Sequence, residues 1–235
     1  LAVVLMSGAA GAAPNLVVDG SDIVPEVTQP TRGTTCEVEV QLGNDGDANA
    51  TGFYVKLRDT TAVKDIGKLG PFNLTHSSSI TVTFSWDLSG ASAGKHTLTA
   101  TVDPENDVTE SDETDNSASR DVTVNLPPTA KASASQDFAY TNTKIAFSAN
   151  GSSDTDGSLV KYLWYFGDGK VSEGFNVTHG FRDGSPSPGK YYNVTLIVTD
   201  DDGGVGTTTI SVPIYSRLPC AVAQDATTPT VTPLS

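Results

Sequence analysis

The residues best suited to chemistry in this chain are carboxylates, and they gather in two places. The first is DPENDVTESDETDN, residues 103–116. A calcium ion takes about six to eight hard oxygen ligands, and a tight acidic loop supplies them. Asp103, Glu110, Asp112 and Glu113 are the candidate ligands there. The spacing is not that of an EF-hand, and the competing reading is a solvated acidic loop. In the second place, Asp154 and Asp156 flank one residue ahead of Gly157, and Asp200, Asp201 and Asp202 follow one another later. Calcium chemistry and plain turn chemistry both suit this pattern, because Asp and Gly favour turns.

Nothing in the sequence spells a catalytic centre. His76, His96 and His179 stand apart from one another, and neither cysteine has a histidine nearby in sequence. Nucleophile-elbow, zinc-protease and phosphate-loop patterns are lacking. The expectation is a protein without enzymatic activity. Cys36 and Cys220 permit one disulfide, which an oxidising exterior would favour; the alternative for Cys36 is a buried thiol. Five N-x-[ST] triplets, at Asn49, Asn73, Asn150, Asn176 and Asn193, make glycosylation the expected modification.

The net charge of −14 excludes nucleic acid and anionic lipid as partners, since both need clustered Lys and Arg. No run after the opening reaches the roughly 18–20 apolar residues of a membrane span. Helical spacing of apolar residues is missing throughout. Instead, short runs alternate: Cys36, Val38, Val40 and Leu42; Phe53, Val55 and Leu57; Ile80, Val82, Phe84 and Trp86; Leu98, Ala100 and Val102. The second half repeats the pattern at Ile145, Phe147 and Ala149; Val160, Tyr162, Trp164 and Phe166; Tyr192, Val194, Leu196 and Val198; Ile210 and Val212. Period two places each set on one face of a strand, and oily faces bury one another. The fold class is therefore all-β, two immunoglobulin-like antiparallel sandwiches in tandem. Pro127-Pro128 stiffens the joint. The expected division is an apolar extension at 1–13, a sandwich at 14–124, a linker at 125–128, a second sandwich at 129–215 and a Pro/Thr-rich tail at 216–235.

The first half resembles the CARDB family through PNLVV, VEVQLGNDGDANATGF and AGKHTLTATVDPENDVTESDETDN. The second resembles the PKD family through GSSDTDGSLVKYLWYFGDG, THGF and GKYYNVTLIVTDDDGG, departing from the usual W-D-F-G-D-G at Tyr165. The resemblance implies non-catalytic modules of surface and secreted proteins. It implies a packed, structural His179. It also implies a calcium site of Asp154, Asp156, Asp200 and Asn125, because some PKD domains bind calcium with the matching residues.

The opening LAVVLMSGAAGAAP suits a strand lent to another subunit, with Val3, Val4 and Leu5 entering the groove. A signal remnant and a pilin-like helix are the competing explanations. The expected function is a structural subunit of an extracellular, glycosylated, pilus-like filament, a homopolymer in an archaeal surface setting. The alternative is a cell-surface adhesin, a surface-layer component or carbohydrate-contacting modules of a secreted protein. Calcium is the one expected cofactor; other surface components and glycans are the further candidate partners.

Overall fold

The computed structural model describes residues 11–184 and 189–216. The described chain is almost wholly β, as the alternation requires. It forms two compact units. Of the described residues, one unit contains those up to Pro128 together with Ser153–Val160 and Thr199–Gly206; the other contains Thr129–Ser152, those between Lys161 and Val198, and those from Thr207 to Ser216.

The first sandwich has eight strands: β1 (Leu16–Val17), β2 (Ile23–Pro25), β3 (Thr35–Asn44), β4 (Ala50–Asp59), β5 (Lys64–Leu74), β6 (Ser78–Asp87), β7 (Gly94–Val102) and β8 (Ser117–Val124). β3 carries β1 and β2 along one edge and pairs with β6 in register Cys36↔Trp86 through Leu42↔Ile80. The facing sheet runs β5-β4-β7-β8. Cys36, Val38, Val40, Leu42, Phe53, Val55, Leu57, Leu98, Ala100 and Val102 all fall in one core, as period two predicts. Asn44 continues the same parity and is fully buried. Its amide donates to the carbonyls of Ala48 and Leu74, and its Oδ1 accepts from the backbone N–H groups of Asn15 and Gly46. A buried amide satisfied this fully fixes the hairpin between β3 and β4.

The second sandwich adds β9 (Ser133–Ala134), β10 (Ala139–Tyr140), β11 (Ile145–Ser148), β12 (Leu159–Tyr165), β13 (Val171–Glu173), β14 (Asn176–His179), β15 (Lys190–Asp200) and β16 (Val205–Tyr215). Its sheets run β10-β16-β15-β12-β13 and β14-β11-β9. Phe147 packs on Trp164 and Phe166 with ring centroids 5.8 and 5.5 Å apart, and Trp164 donates its indole N–H to the carbonyl of Gly174 at 3.0 Å. One inward assignment fails. Val160 is 62 % exposed. The strands of the opposite sheet are only two to four residues long, so they cover β12 at Trp164 but not at its start.

Candidate functional site

The acids after β7 divide by what their oxygens already hold. Asp103, buried and with φ +46°, accepts from the backbone N–H groups of Asp107 and Val108. Asp112 accepts from the Thr114 hydroxyl and N–H, which hold its carboxyl below the usual range. Glu113 accepts from the N–H of Glu110. These three are turn caps, the competing reading of the loop. Glu110 differs: one oxygen accepts from the N–H of Leu16, the other from the Asn116 amide at 2.7 Å, and burial pushes its carboxyl up. Beside it, Asp115 Oδ1 and Asn116 Oδ1 are buried without any hydrogen-bond partner.

The second acidic group assembles in the loops 153–160 and 199–206. Asn125 is 1 % exposed, and its backbone is pinned on both sides, N–H to Pro30 and carbonyl to Arg32. Its Nδ2 donates to Asp200 Oδ2 at 3.0 Å, while its Oδ1 is buried and unpartnered. Asp200 Oδ1 accepts from the N–H groups of Gly204 and Asp202, so both of its oxygens hold donors while a lone pair remains on Oδ2. Asp156 accepts from the N–H of Leu126, and Asp201 from that of Ser158. Asp154 Oδ2 is buried and unpartnered. A side chain at Gly157 would place its Cβ 2.5 Å from Asp201 Oδ1 and 2.7 Å from Asp154 Oδ2. Two carboxylate oxygens thus approach the same glycine, which explains a glycine after the D-x-D pair. The carboxyl of Asp202 is pushed up by desolvation and then by the charges of Asp201, Asp200, Asp156 and Asp154. The structure therefore brings together the four residues matched to the PKD pattern, and adds Asp201. Among the described residues, no three His, Cys, Asp or Glu side chains form a metal centre by themselves. A cation here would need amide or backbone oxygens as well, the mixed set that calcium accepts.

The remaining sequence candidates stand as follows. Asn49, Asn73, Asn150, Asn176 and Asn193 are all exposed. Asn49 and Asn73 use only their Oδ1, to cap His76 and Gly52, and Nδ2 has no partner among the described residues. Cys36 is fully buried, and burial pushes its thiol up. Cys220, Val3, Val4 and Leu5 lie outside the described residues. His179 stacks on Phe166 at 4.0 Å and bonds Asp168 at 2.8 Å. Burial alone would raise the Asp168 carboxyl, but the bonds from His179 and the Lys170 N–H outweigh it and hold it low.

Sequence reasoning passed over a buried pair. His96 Nδ1 lies 2.6 Å from Asp59 Oδ2, and its Nε2 contacts both the hydroxyl and the carbonyl oxygen of Ser92, at 3.1 and 3.0 Å. The Asp–His–Ser order imitates a hydrolase triad. However, the imidazole is fully buried, and Nε2 faces a carbonyl that can only accept, so it is not poised to take a proton from Ser92. The signal was present in the alternation: His96 shares the parity of Leu98, Ala100 and Val102.

The second sandwich also exposes aromatic surface. Phe138 is 51 % and Tyr140 48 % exposed, and both meet the half-buried ring of Tyr215, at 5.8 and 6.4 Å. Parallel pairing of β10 with the end of β16 puts Tyr140 opposite Tyr215. Next to Phe138 in sequence, β9, Gln136, Asp137 and the middle of β16 bound a groove of about 340 Å³, whose polar lining is Ser133, Gln136, Asp137 and Ser211.

Comparison with known proteins agrees with the fold. The CARDB family profile matches residues 13–120 and a PKD-domain profile matches 125–214; the chain is a CARDB domain followed by a PKD domain. Both are non-catalytic domains that occur in cell-surface and secreted proteins. The collagenase ColQ1 of Bacillus cereus is 48 % identical over 60 residues, which is 25 % of this chain and 6 % of that protein. The CARDB domain of PF1109 from Pyrococcus furiosus, solved with di-metal ions, is 24 % identical with a TM-score of 0.42, covering 53 % of this chain and 99 % of that one. The PKD1 domain of the Vibrio cholerae metalloprotease PrtV is 30 % identical with a TM-score of 0.32, covering 38 % of this chain and 98 % of that one. No described helix is long and apolar enough to cross a membrane.

Proposed function

We propose that this chain is a non-catalytic, sugar-contacting module of a cell-surface or secreted protein, with calcium fixing the loops around Asn125. The observation that carries the sugar reading is the exposed ring cluster of Phe138, Tyr140 and Tyr215 beside a groove lined by Gln136, Asp137 and Ser211. Exposed apolar surface of this kind marks interaction sites. Flat rings pack against the C–H faces of a pyranose, while carboxylate, amide and hydroxyl groups hold its hydroxyls. The relatives support an accessory role, since the match to ColQ1 spans 6 % of that enzyme.

Calcium is supported by two buried oxygens without partners, Asn125 Oδ1 and Asp154 Oδ2, among Asp156, Asp200 and Asp201. A cation would occupy lone pairs that are otherwise costly to bury, with Asn125, Asp154, Asp156 and Asp200 as its ligand residues. The filament reading rests on Val3, Val4 and Leu5, outside the described residues, and nothing in the described fold favours it over a surface module. Co-sedimentation with insoluble polysaccharides (cellulose, chitin and cell-wall sacculi) tests the sugar reading. The chain should pellet with at least one, and Phe138→Ala/Tyr140→Ala should weaken binding about tenfold or more. Binding to collagen fibrils with none to polysaccharide would replace the sugar with a polypeptide.

A further inference from the structure

We infer that the loop before β8 binds a second divalent cation, with Glu110, Asp115 and Asn116 supplying side-chain oxygens. The residues form a closed ring. Asp115 Oδ2 accepts from the Asn15 amide at 3.1 Å; the next residue, Leu16, donates its N–H to Glu110; Glu110 accepts from the Asn116 amide; and Asn116 follows Asp115 in sequence. Backbone bonds brace it, from Val18 N–H to the Asp115 carbonyl, Val102 N–H to the Asn116 carbonyl and Ser111 N–H to the Pro14 carbonyl. Two carboxylates and one amide are therefore held within a single knot.

Two acceptors in that knot, Asp115 Oδ1 and Asn116 Oδ1, are buried with no donor, and Asn116 is only 9 % exposed. A buried acceptor without a partner is costly. Two such oxygens next to a half-buried carboxylate ask for positive charge, and among the described residues neither Asp115, Asn116 nor Glu110 pairs with a Lys or Arg. The orientation of the Asn116 amide is a choice that hydrogen bonding makes. Without a cation its N–H₂ end turns to Glu110; with one, Oδ1 can turn the same way and both become ligands. The same device stands at Asn125 and Asp200. An all-oxygen set of carboxylate and amide groups selects calcium over transition metals. Asp103, whose two oxygens both hold backbone N–H groups, and the exposed caps Asp112 and Glu113 shape the loop and bury no unpartnered oxygen.

Calorimetric titration of the full chain with calcium chloride, after chelation, tests this. The wild type should bind two ions. Asp154→Asn, which removes the ligand near Asn125, should leave one, and Asp154→Asn/Asp115→Asn should leave none. Asp112→Asn, an exposed cap, should change nothing. If Asp115→Asn retains the wild-type count, or Asp154→Asn alone abolishes all binding, the second site is wrong while the first still stands. Circular dichroism without calcium checks that each variant folds. Asn116→Asp adds a charge to the knot, so it should tighten calcium several-fold while lowering the calcium-free melting temperature; unchanged affinity would assign these oxygens to water.

Discussion

Asp59 Oδ2 and His96 Nδ1 lie 2.6 Å apart, with both side chains essentially removed from solvent. The pair ties the end of β4 to the start of β7, and the Thr60 N–H bonded to the Thr97 carbonyl closes the same corner. Losing one partner leaves the other buried without its hydrogen bond, which costs about 1–3 kcal/mol. His96→Ala should lose stability of that order in urea denaturation and should leave polysaccharide binding in the folded fraction unchanged. A loss below about 1 kcal/mol would show that the pair contributes little.

Gly157 is a sharp probe of the loops around Asn125. A methyl group there meets the carboxylate oxygens of both Asp154 and Asp201. Gly157→Ala should weaken calcium at this position and reduce the rise in melting temperature that calcium produces, as scanning calorimetry with and without chelator would show. Calcium at about a hundred times its Kd should stabilise the wild type by roughly 2.7 kcal/mol per site. Equal stabilisation of wild type and variant would contradict this placement of the ion.

Glu110 gives a pH signature. Burial raises its folded-state pKa above the ordinary 4.5. Its contribution is therefore fully present below that value and is lost as pH rises through the raised one. The comparison is one of slopes, since the replacement shifts the baseline. In chelator, Glu110→Gln should fare better than wild type, relative to its own value at pH 4, as pH rises to 7. Calcium should erase the difference, because the ion takes up the charge. Parallel curves would mean that Glu110 ionises as freely in the folded chain as in the unfolded one.

Exposure of all five sequon asparagines makes them open to modification. Produced in a host with N-glycosylation machinery, the chain should exceed its bare 24.4 kDa by intact-mass measurement. Asn49→Gln and Asn73→Gln should also lower stability slightly, since these residues cap His76 and Gly52 through Oδ1. A bare mass would end the glycosylation proposal.

The strand faces were legible because period two leaves few choices once a face is oily. Cys36 to Leu42 and Tyr192 to Val198 fell inward as read. Val160 misled because alternation marks the face of a strand but not how far the opposite sheet extends. The polar interior was harder. Asn44 and His96 carry the inward parity of their strands, yet a polar residue at such a position looks like a break in the pattern unless its partners are known, and those come from distant hairpins. The acidic loops show the same limit. Composition located them, but only the fold separates the caps Asp103, Asp112 and Glu113 from Asp115 and Asn116, each of which buries one oxygen without a partner.

The sugar-contacting surface is tested most directly by aromatic ¹H–¹³C NMR of the chain titrated with soluble oligosaccharides from whichever polysaccharide it sediments with. The rings of Phe138, Tyr140 and Tyr215 should shift together and saturate with one Kd, while the buried rings of Phe147 and Trp164 stay in place. Saturating shifts confined to other surfaces, with those three rings unmoved, would contradict the account.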